Sequence, residues 1–232
     1  SNPLKHSIKS YDFCAMVPLQ LENSIVKLNT IKTLIVGGAA VSSDLQQKTK
    51  ASSCKVYATY GMTETVTHIA VKHLNNLKSN QDDIIINESY KVFPEVTISQ
   101  DERDCLIINA PQLNTAPIIT NDVVKLTSEN TFQLLGRADN VINSGGIKLF
   151  PEQIEAKLKP FFNHRFFIAS KADDSLGEVV ILVVEGPSEI LDASIFETLD
   201  SFEKPKHIYN VERFCETESG KIQRKETLAL LK

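Results

Sequence analysis

The order of apolar and polar positions changes twice along the 232-residue chain, and each part predicts a different structure. In the first part, an apolar run over residues 31–36 leads into Gly37, and Ser42 or Ser43 can cap a helix that continues to about Thr49. A second apolar run over residues 55–60 ends at Gly61, and a further strand is predicted over residues 65–71. Strand, turn, helix and strand in this order are typical of a parallel α/β sheet, whose strand ends are the usual place for ligands.

The middle part has short runs in which apolar and polar residues alternate, separated by polar turns. The runs cover residues 92–98, 105–109, 123–126 and 132–135. Alternation with a period of two favours strands that are buried on one face. An antiparallel meander or small barrel is therefore predicted between residues 90 and 135.

The last part has the pattern of a smaller α+β domain. Pro151 suits the first turn of a helix, on which Ile154, Leu158 and Phe161 form an apolar stripe. Strands are predicted over residues 166–169, 179–184 and 207–211, and helices over residues 189–202 and from Arg224 onward. The pattern predicts two domains, residues 1–137 and residues 138–232.

Composition and charge favour a soluble protein with a small-molecule partner. The net charge of −4 argues against nucleic acid as a partner, because phosphate neutralisation needs a basic surface. No apolar stretch approaches the roughly 20 residues that span a bilayer, and no signal-peptide pattern is present, so we expect no membrane association and a cytoplasmic location. The four cysteines are scattered, which favours reduced thiols over a disulfide or zinc scaffold.

Two glycine-containing turns follow the predicted strands of the first part. Gly37-Gly38-Ala39 is neither a Rossmann fingerprint nor a Walker loop, but glycine lets a flat ring or a phosphate approach the backbone. The second turn is Tyr60-Gly61-Met62-Thr63-Glu64. Its ring can stack on a purine, its threonine can donate to a phosphate oxygen, and its glutamate can help to hold Mg²⁺. Each turn alone is also compatible with an ordinary strand end.

Three further motifs follow in order along the chain. They are Thr120-Asn121-Asp122, the segment from Gly136-Arg137 through Asp139 to Ser144-Gly145-Gly146, and Gly220-Lys221-Ile222. In this order, and over nearly the whole chain, the five motifs resemble those of the adenylate-forming enzymes. These enzymes activate a carboxylic acid with ATP and pass it to coenzyme A or another thiol. The resemblance covers only the later part of such an enzyme.

The resemblance implies a function for each motif. Residues expected to bind the nucleotide are Gly37, Gly38, Ala39, Thr59, Tyr60, Gly61, Met62, Asp122 and Arg137. Asp122 would accept from the ribose hydroxyls, and Asn121 stands where the family has glycine. Thr63, Glu64 and Lys221 are expected to act in catalysis, with Mg²⁺ at Glu64 and the Lys221 ammonium offsetting the negative charge of the transition state. Asp139 resembles the hinge of the small domain. Residues expected around the acyl group and the thiol are Thr65, Thr67, His68, Ser144, Gly145 and Gly146.

Within the family, the chain looks most like the o-succinylbenzoate–CoA ligases of menaquinone synthesis. Other fatty-acyl or aryl-acid ligases, carrier-loading adenylation domains and a non-catalytic nucleotide-binding module are the alternatives. No Thr/Ser/Gly-rich phosphate loop of the family occurs in residues 1–57, so the 232 residues are expected to be a fragment that cannot adenylate by itself. An exposed sheet edge of such a fragment would make a homodimer possible.

Overall fold

A computed structural model describes residues 2–75, 89–187, 192–218 and 220–231. Contacts between Cα atoms divide the chain into two compact units, Ser1–Leu134 and Leu135–Lys232. The sequence places a boundary between residues 137 and 138. The identification of the two units as the end of a large domain and a small lid domain remains a prediction.

The first unit is built on one mixed sheet of nine strands, the last of which continues past Leu134 to Arg137. These are β1 (Tyr11–Met16), β2 (Ile31–Val36), β3 (Lys55–Gly61), β4 (His68–His73), β5 (Tyr90–Val92), β6 (Thr97–Gln100), β7 (Cys105–Asn109), β8 (Ile118–Ser128) and β9 (Thr131–Arg137), hydrogen-bonded in the order β1-β2-β3-β4-β5-β9-β8-β7-β6. Strands β1, β2 and β3 are parallel, and the recorded pairings from β3 onward are antiparallel. The α/β class predicted from the sequence is confirmed. The antiparallel meander continues the parallel sheet.

Two short helices connect the parallel strands. Helix α1 spans Pro18–Ser24 and helix α2 spans Ser43–Thr49. Of the two candidate caps, Ser42 is the one used, because its side-chain oxygen accepts from the Leu45 N–H at 3.2 Å. The strand predicted over residues 65–71 begins only at His68, because residues Thr63–Thr65 form a 3₁₀ turn.

Apolar side chains pack into two cores in the first unit. Leu21, Leu28 and Leu34 are fully buried where α1 and the parallel strands meet. Ile69 and Phe132 belong to a second cluster under β4 and the antiparallel strands, and Tyr60 extends from β3 into this cluster. Tyr60 therefore connects the end of a parallel strand to the antiparallel part of the sheet.

The second unit is an α+β fold around a sheet of five strands. Its elements are β10 (Ile142–Ser144), β11 (Ile147–Leu149), α3 (Pro151–Leu158), β12 (Phe166–Asp173), β13 (Gly177–Glu185), β14 (His207–Val211) and α4 (Arg224–Leu228). The strand order is β11-β10-β13-β12, and β14 pairs in parallel with β13. The three strands predicted here, the helix that starts at Pro151 and the helix that starts at Arg224 are confirmed.

Two predictions for the second unit are wrong. The helix expected over residues 189–202 is absent from its described part, residues 192–202, which holds the short 3₁₀ turn Ala193–Phe196; residues 189–191 lie outside the described ranges. The Asp192 side chain accepts from the Ser194 N–H at 3.0 Å, and such local bonds compete with helix formation. Phe161 does not continue the buried stripe of Ile154 and Leu158, because α3 ends at Leu158 and Phe161 is 48% exposed.

None of the helices in the described ranges has the length and apolar character that a bilayer crossing requires. All four cysteines are free thiols, and Cys54 and Cys105 are buried.

Candidate functional site

The ends of β2 and β3 bring several of the predicted site residues together. Because Val36 pairs with Ala58 in the parallel ladder, Gly37 lies beside Thr59. A Cβ atom on Gly37 would lie 2.6 Å from Thr59 Oγ1 and 3.5 Å from His68 Nε2. Only glycine fits this space without displacing Thr59. The next residue, Gly38, has a positive φ of +83° and begins the exposed turn that includes Ala39.

A β-bulge shapes the turn that follows β3. Tyr60 pairs with Ala70 and Gly61 pairs with His68, so β4 has one extra residue at this point. A Cβ atom on Gly61 would lie against the Thr67 carbonyl oxygen and 2.9 Å from His68 Cα. The glycine therefore allows the start of β4 to approach the end of β3 closely.

The Thr65 hydroxyl holds the 3₁₀ turn after Gly61. It accepts from the Met62 N–H at 3.0 Å and contacts the Thr67 carbonyl oxygen at 2.7 Å. Thr65 is fully buried, so its contribution to the site is the shape of the turn. Val66 follows with φ of +59° and an 80% exposed side chain, a backbone conformation that branched residues seldom adopt. The sequence pattern gives no indication of this conformation.

Glu64 lies in the same turn with its side chain exposed, and the side chains of Thr63 and Thr67 are exposed as well. Within the described ranges, no group of three or more His, Cys, Asp or Glu side chains is placed to hold a metal ion. A magnesium ion carried by phosphates needs only one or two protein carboxylates. An exposed glutamate beside a glycine-lined strand end fits that requirement.

A hydrogen bond between Tyr60 and Asp122 joins two of the motifs. The Tyr60 hydroxyl lies 2.5 Å from Asp122 Oδ2, although 62 positions separate the two residues. Both residues are 7% exposed, and the Tyr60 ring packs edge-on against Phe132 with ring centres 5.2 Å apart. A carboxylate has about four acceptor sites, and the Tyr60 hydroxyl takes one of those on Asp122.

The residues around Asp122 explain why Asn121 can replace glycine. Asn121 lies inside β8 and does not have a positive φ. The described non-glycine residues that do are Val66, Glu95 and Asp104. Arg103 donates to the Asn121 side-chain oxygen at 3.0 Å. This position therefore needs no glycine.

The predicted hinge region belongs to the second unit. Arg137 and Asp139 form a long ion pair of 3.9 Å, and both side chains are about half exposed, at 50% and 57%. Such a pair contributes little to stability. Asp139 lies in the 3₁₀ turn Ala138–Asn140, which is joined to α3 by a 2.6 Å bond from Asn140 Nδ2 to Glu152 Oε1.

Ser144, Gly145 and Gly146 form the turn of the β10–β11 hairpin. Both glycines have positive φ, +56° and +84°, as a type I′ turn requires. Nothing lies within 4 Å of a Cβ atom placed on Gly146, so one side of the turn is open. Ser144 is buried and lines a neighbouring cavity of about 190 Å³.

Lys221 lies on a second small hairpin in the same unit. The Thr217 N–H donates to the Lys221 carbonyl at 2.9 Å, Glu216 pairs with Ile222, and the Gln223 N–H donates to the Cys215 carbonyl at 2.8 Å. The Lys221 side chain is exposed. The first unit thus joins Gly37, Thr59, Tyr60, Gly61, His68 and Asp122 through direct contacts, and the second unit carries Arg137, Asp139, the glycine hairpin and Lys221.

Comparison with known proteins identifies relatives of the chain. No family model matches the chain. A 2-succinylbenzoate–CoA ligase from Lactococcus lactis is 26% identical over 91% of this chain and 50% of its own length. A second such ligase, from Staphylococcus epidermidis, is 25% identical over 85% of this chain and 46% of its own length. The chain spans about half the length of the curated relatives it matches.

Solved structures also match the chain. The o-succinylbenzoate coenzyme A synthetase of Bacillus subtilis, in complex with ATP and a magnesium ion, matches with a TM-score of 0.75 at 18% identity, over 94% of this chain and 51% of that one, and supports the fold. An acyl-CoA synthetase (AMP-forming)/AMP-acid ligase II-like protein from Dyadobacter fermentans is 34% identical over 100% of this chain and 69% of its own, with a TM-score of 0.55. The chain therefore belongs to the family of AMP-forming acyl-CoA synthetases.

Proposed function

We propose that this chain is the nucleotide- and thiol-handling part of an acid–CoA ligase. The observation that supports the proposal most directly is the Tyr60–Asp122 hydrogen bond, because it joins two of the nucleotide motifs at one place. The adjoining glycine turn adds Gly37, which lies so close to Thr59 that no larger residue fits. Adenine would lie against the turn of Gly37, Gly38 and Ala39, and Asp122 would accept from the ribose hydroxyls.

In the first step, a carboxylate oxygen of the acid attacks the α-phosphorus of ATP, and the bond to the bridging oxygen breaks to release pyrophosphate. Thr63 donates to an α-phosphate oxygen, and Glu64 supplies the carboxylate for a magnesium ion that offsets phosphate charge. The exposed Lys221 ammonium offsets the negative charge that builds in the transition state. Arg137 and Met62 complete the nucleotide contacts.

In the second step, the sulfur of coenzyme A attacks the acyl carbon, the thioester bond forms, and AMP leaves with the electron pair of the broken acyl–oxygen bond. The open side of the Gly145-Gly146 turn leaves room for the pantetheine arm next to Ser144. The small unit would turn about Asp139 between the two steps. This order of events follows from the family and is a proposal for this chain.

For the acid, we favour o-succinylbenzoate and hence a place in menaquinone synthesis. The Lactococcus and Staphylococcus relatives carry the name 2-succinylbenzoate–CoA ligase, and this is the main support. His68 is the first residue of β4 and Thr67 directly precedes it, and both suit a polar acid, while the Thr65 hydroxyl bonds to the Thr67 carbonyl oxygen. A fatty-acyl or aryl-acid ligase and a carrier-loading adenylation domain are the competing assignments.

The test is made on the complete gene product that contains these 232 residues. ATP-dependent pyrophosphate release should be highest with o-succinylbenzoate in a panel that includes octanoate, benzoate and amino acids. Lys221→Ala should lower the rate at least about a hundredfold, as the loss of a charge-stabilising group does in other enzymes. Lys225→Ala, which changes another exposed lysine four positions away, is the matched control and should change little. Nucleotide binding without pyrophosphate release from any acid would favour a non-catalytic binding module.

The 232 residues alone should show no ATP–pyrophosphate exchange, because they contain no Thr/Ser/Gly-rich loop for the β- and γ-phosphates. We propose a cytoplasmic location. A homodimer would form along β1, which is an end strand of the nine-stranded sheet. ATP–pyrophosphate exchange by the pure chain would refute its predicted inactivity. A monomeric mass in solution would refute the homodimer.

A further inference from the structure

Arg224 lies at the base of the hairpin that carries Lys221. Arg224 directly follows the last residue of the hairpin, Gln223, and begins helix α4. Its Nη1 lies 2.9 Å from Glu155 Oε1, and its Nη2 lies 3.0 Å from Glu155 Oε2. This is the two-pronged arrangement in which a guanidinium and a carboxylate fix each other's orientation.

Further contacts connect the same pair to strand β12. Arg224 Nη1 donates to the Ile168 carbonyl at 3.0 Å, and the Ile168 N–H donates to Glu155 Oε1 at 2.8 Å. The guanidinium also lies 5.5 Å from the centre of the Phe167 ring. Arg224 and Glu155 are only 23% and 21% exposed, so this pair is shielded from solvent far more than an ordinary surface ion pair.

The partners of Arg224 depend on it in turn. Burial raises the pKa of the Glu155 carboxyl despite the opposing effect of the Arg224 guanidinium. Without the guanidinium, Glu155 would lose the charge that favours its ionised form. The other strand of the hairpin has a weaker attachment, because Glu216 pairs with Arg165, whose side chain is 43% exposed. Loss of Arg224 therefore removes a shielded attachment of two bonds, while the Glu216–Arg165 pair and the 3.1 Å bond from the Cys215 N–H to Thr227 Oγ1 remain.

We propose that Arg224 is a positioning residue for Lys221: its bond to Glu155 fixes the base of the hairpin, so that the lysine is presented on a rigid support. Lys221 itself is exposed, and the two inter-strand hydrogen bonds that make the Glu216–Ile222 bridge are too few to keep the hairpin stable alone. The role in catalysis rests on the proposed function of Lys221. The rigidity of the hairpin does not, and the two can be tested separately.

The first test measures amide hydrogen exchange by NMR on the 232-residue chain without nucleotide. In Arg224→Gln, the Thr217 and Gln223 amides should exchange on the order of tenfold faster or more, because bonds to charged groups are lost. The amides of β12 and β13 should change by less than about twofold. Lys157→Gln is the matched control. Lys157 lies on the same helix as Glu155 but pairs with Glu203, so this substitution should leave the hairpin unchanged.

Arg224→Lys provides the conservative rescue. Lysine keeps the positive charge but cannot make the second hydrogen bond to Glu155. The exchange rates of the hairpin amides should therefore lie between those of the wild type and those of Arg224→Gln. Arg224→Lys also supplies the readout if Arg224→Gln does not fold. Unchanged hairpin exchange in Arg224→Lys and Arg224→Gln, or equal acceleration throughout the second unit, would overturn the positioning role.

The second test uses the complete gene product. Arg224→Lys should lower kcat for pyrophosphate release about tenfold with KM for ATP nearly unchanged, because the supported lysine acts in the transition state. A loosened hairpin with unchanged kcat would overturn the positioning role for catalysis. If Lys221→Ala also leaves kcat unchanged, the proposed function of the lysine fails, while the exchange result still reports on the attachment by Arg224.

Discussion

The Tyr60–Asp122 hydrogen bond permits a quantitative test of the candidate site. Tyr60→Phe removes a single hydroxyl that donates to a carboxylate at 2.5 Å, with both residues only 7% exposed. Hydrogen bonds to charged groups contribute about 1.5–3 kcal/mol to stability. Tyr60→Phe should therefore lower the free energy of unfolding of the first unit by about that amount, while the ring keeps its packing against Phe132.

A double-mutant cycle separates this bond from other effects of the substitution. In an Asp122→Asn background the tyrosine hydroxyl meets a neutral partner, so Tyr60→Phe should cost only about 0.5–1.5 kcal/mol. The difference gives a coupling energy of about 1 kcal/mol. Tyr57→Phe is the matched control, because Tyr57 lies on the same strand and its side chain points to the opposite face.

The assay is urea unfolding followed by tyrosine fluorescence. The chain has no tryptophan and five tyrosines, of which only Tyr209 belongs to the second unit, so the signal comes mainly from the first unit. A coupling energy of zero, or a cost for Tyr57→Phe equal to that for Tyr60→Phe, would refute the reasoning.

Three further predictions concern the same unit. Gly37→Ala should lower the free energy of unfolding by about 1–3 kcal/mol in urea, because the new Cβ would lie 2.6 Å from Thr59 Oγ1. Adding Thr59→Ala should recover part of the loss. A Gly37→Ala variant as stable as the wild type would contradict this packing. Burial raises the pKa of Cys54 to about 11. Iodoacetamide at pH 8, followed by mass spectrometry, should therefore label Cys54 at least about tenfold more slowly in the folded chain than in the urea-unfolded chain. Equal labelling rates would contradict the burial of Cys54. Burial lowers the pKa of His73, which stacks on Tyr57 with ring centres 4.6 Å apart. The unfolded chain therefore takes up the proton more readily, and stability should fall as the pH drops from the unfolded pKa near 6.5 through the lower folded value. Chemical denaturation across this range should show a flatter pH dependence in His73→Gln, and an identical profile would contradict the prediction.

Local patterns in the sequence are sufficient to predict much of the fold. The apolar run over residues 31–36 and the cap at Ser42 correspond to β2 and α2, because periodicity and capping act over a few neighbouring residues. The helix over residues 189–202 was predicted from the same kind of pattern and is wrong. Its described residues form local side-chain to backbone bonds, and these outweigh a weak helical pattern.

The candidate site was predictable only in part. Motifs identify Tyr60 and Asp122, but no local pattern indicates that their side chains bond directly, because that contact depends on the order of distant strands in the sheet. The buried position of Thr65 and the strained backbone of Val66 are likewise consequences of the β3–β4 bulge. Tertiary structure, which periodicity does not report, determines these features.

NMR titration of the 232-residue chain with AMP tests the central claim most directly. The account predicts chemical-shift changes at residues 37–39, at residues 59–64 and at Asp122, and binding weakened about tenfold or more in Asp122→Asn, because a charged acceptor of the ribose hydroxyls is lost. Saturable changes elsewhere in the chain, or none in the first unit at millimolar AMP, would contradict a nucleotide site at these strand ends.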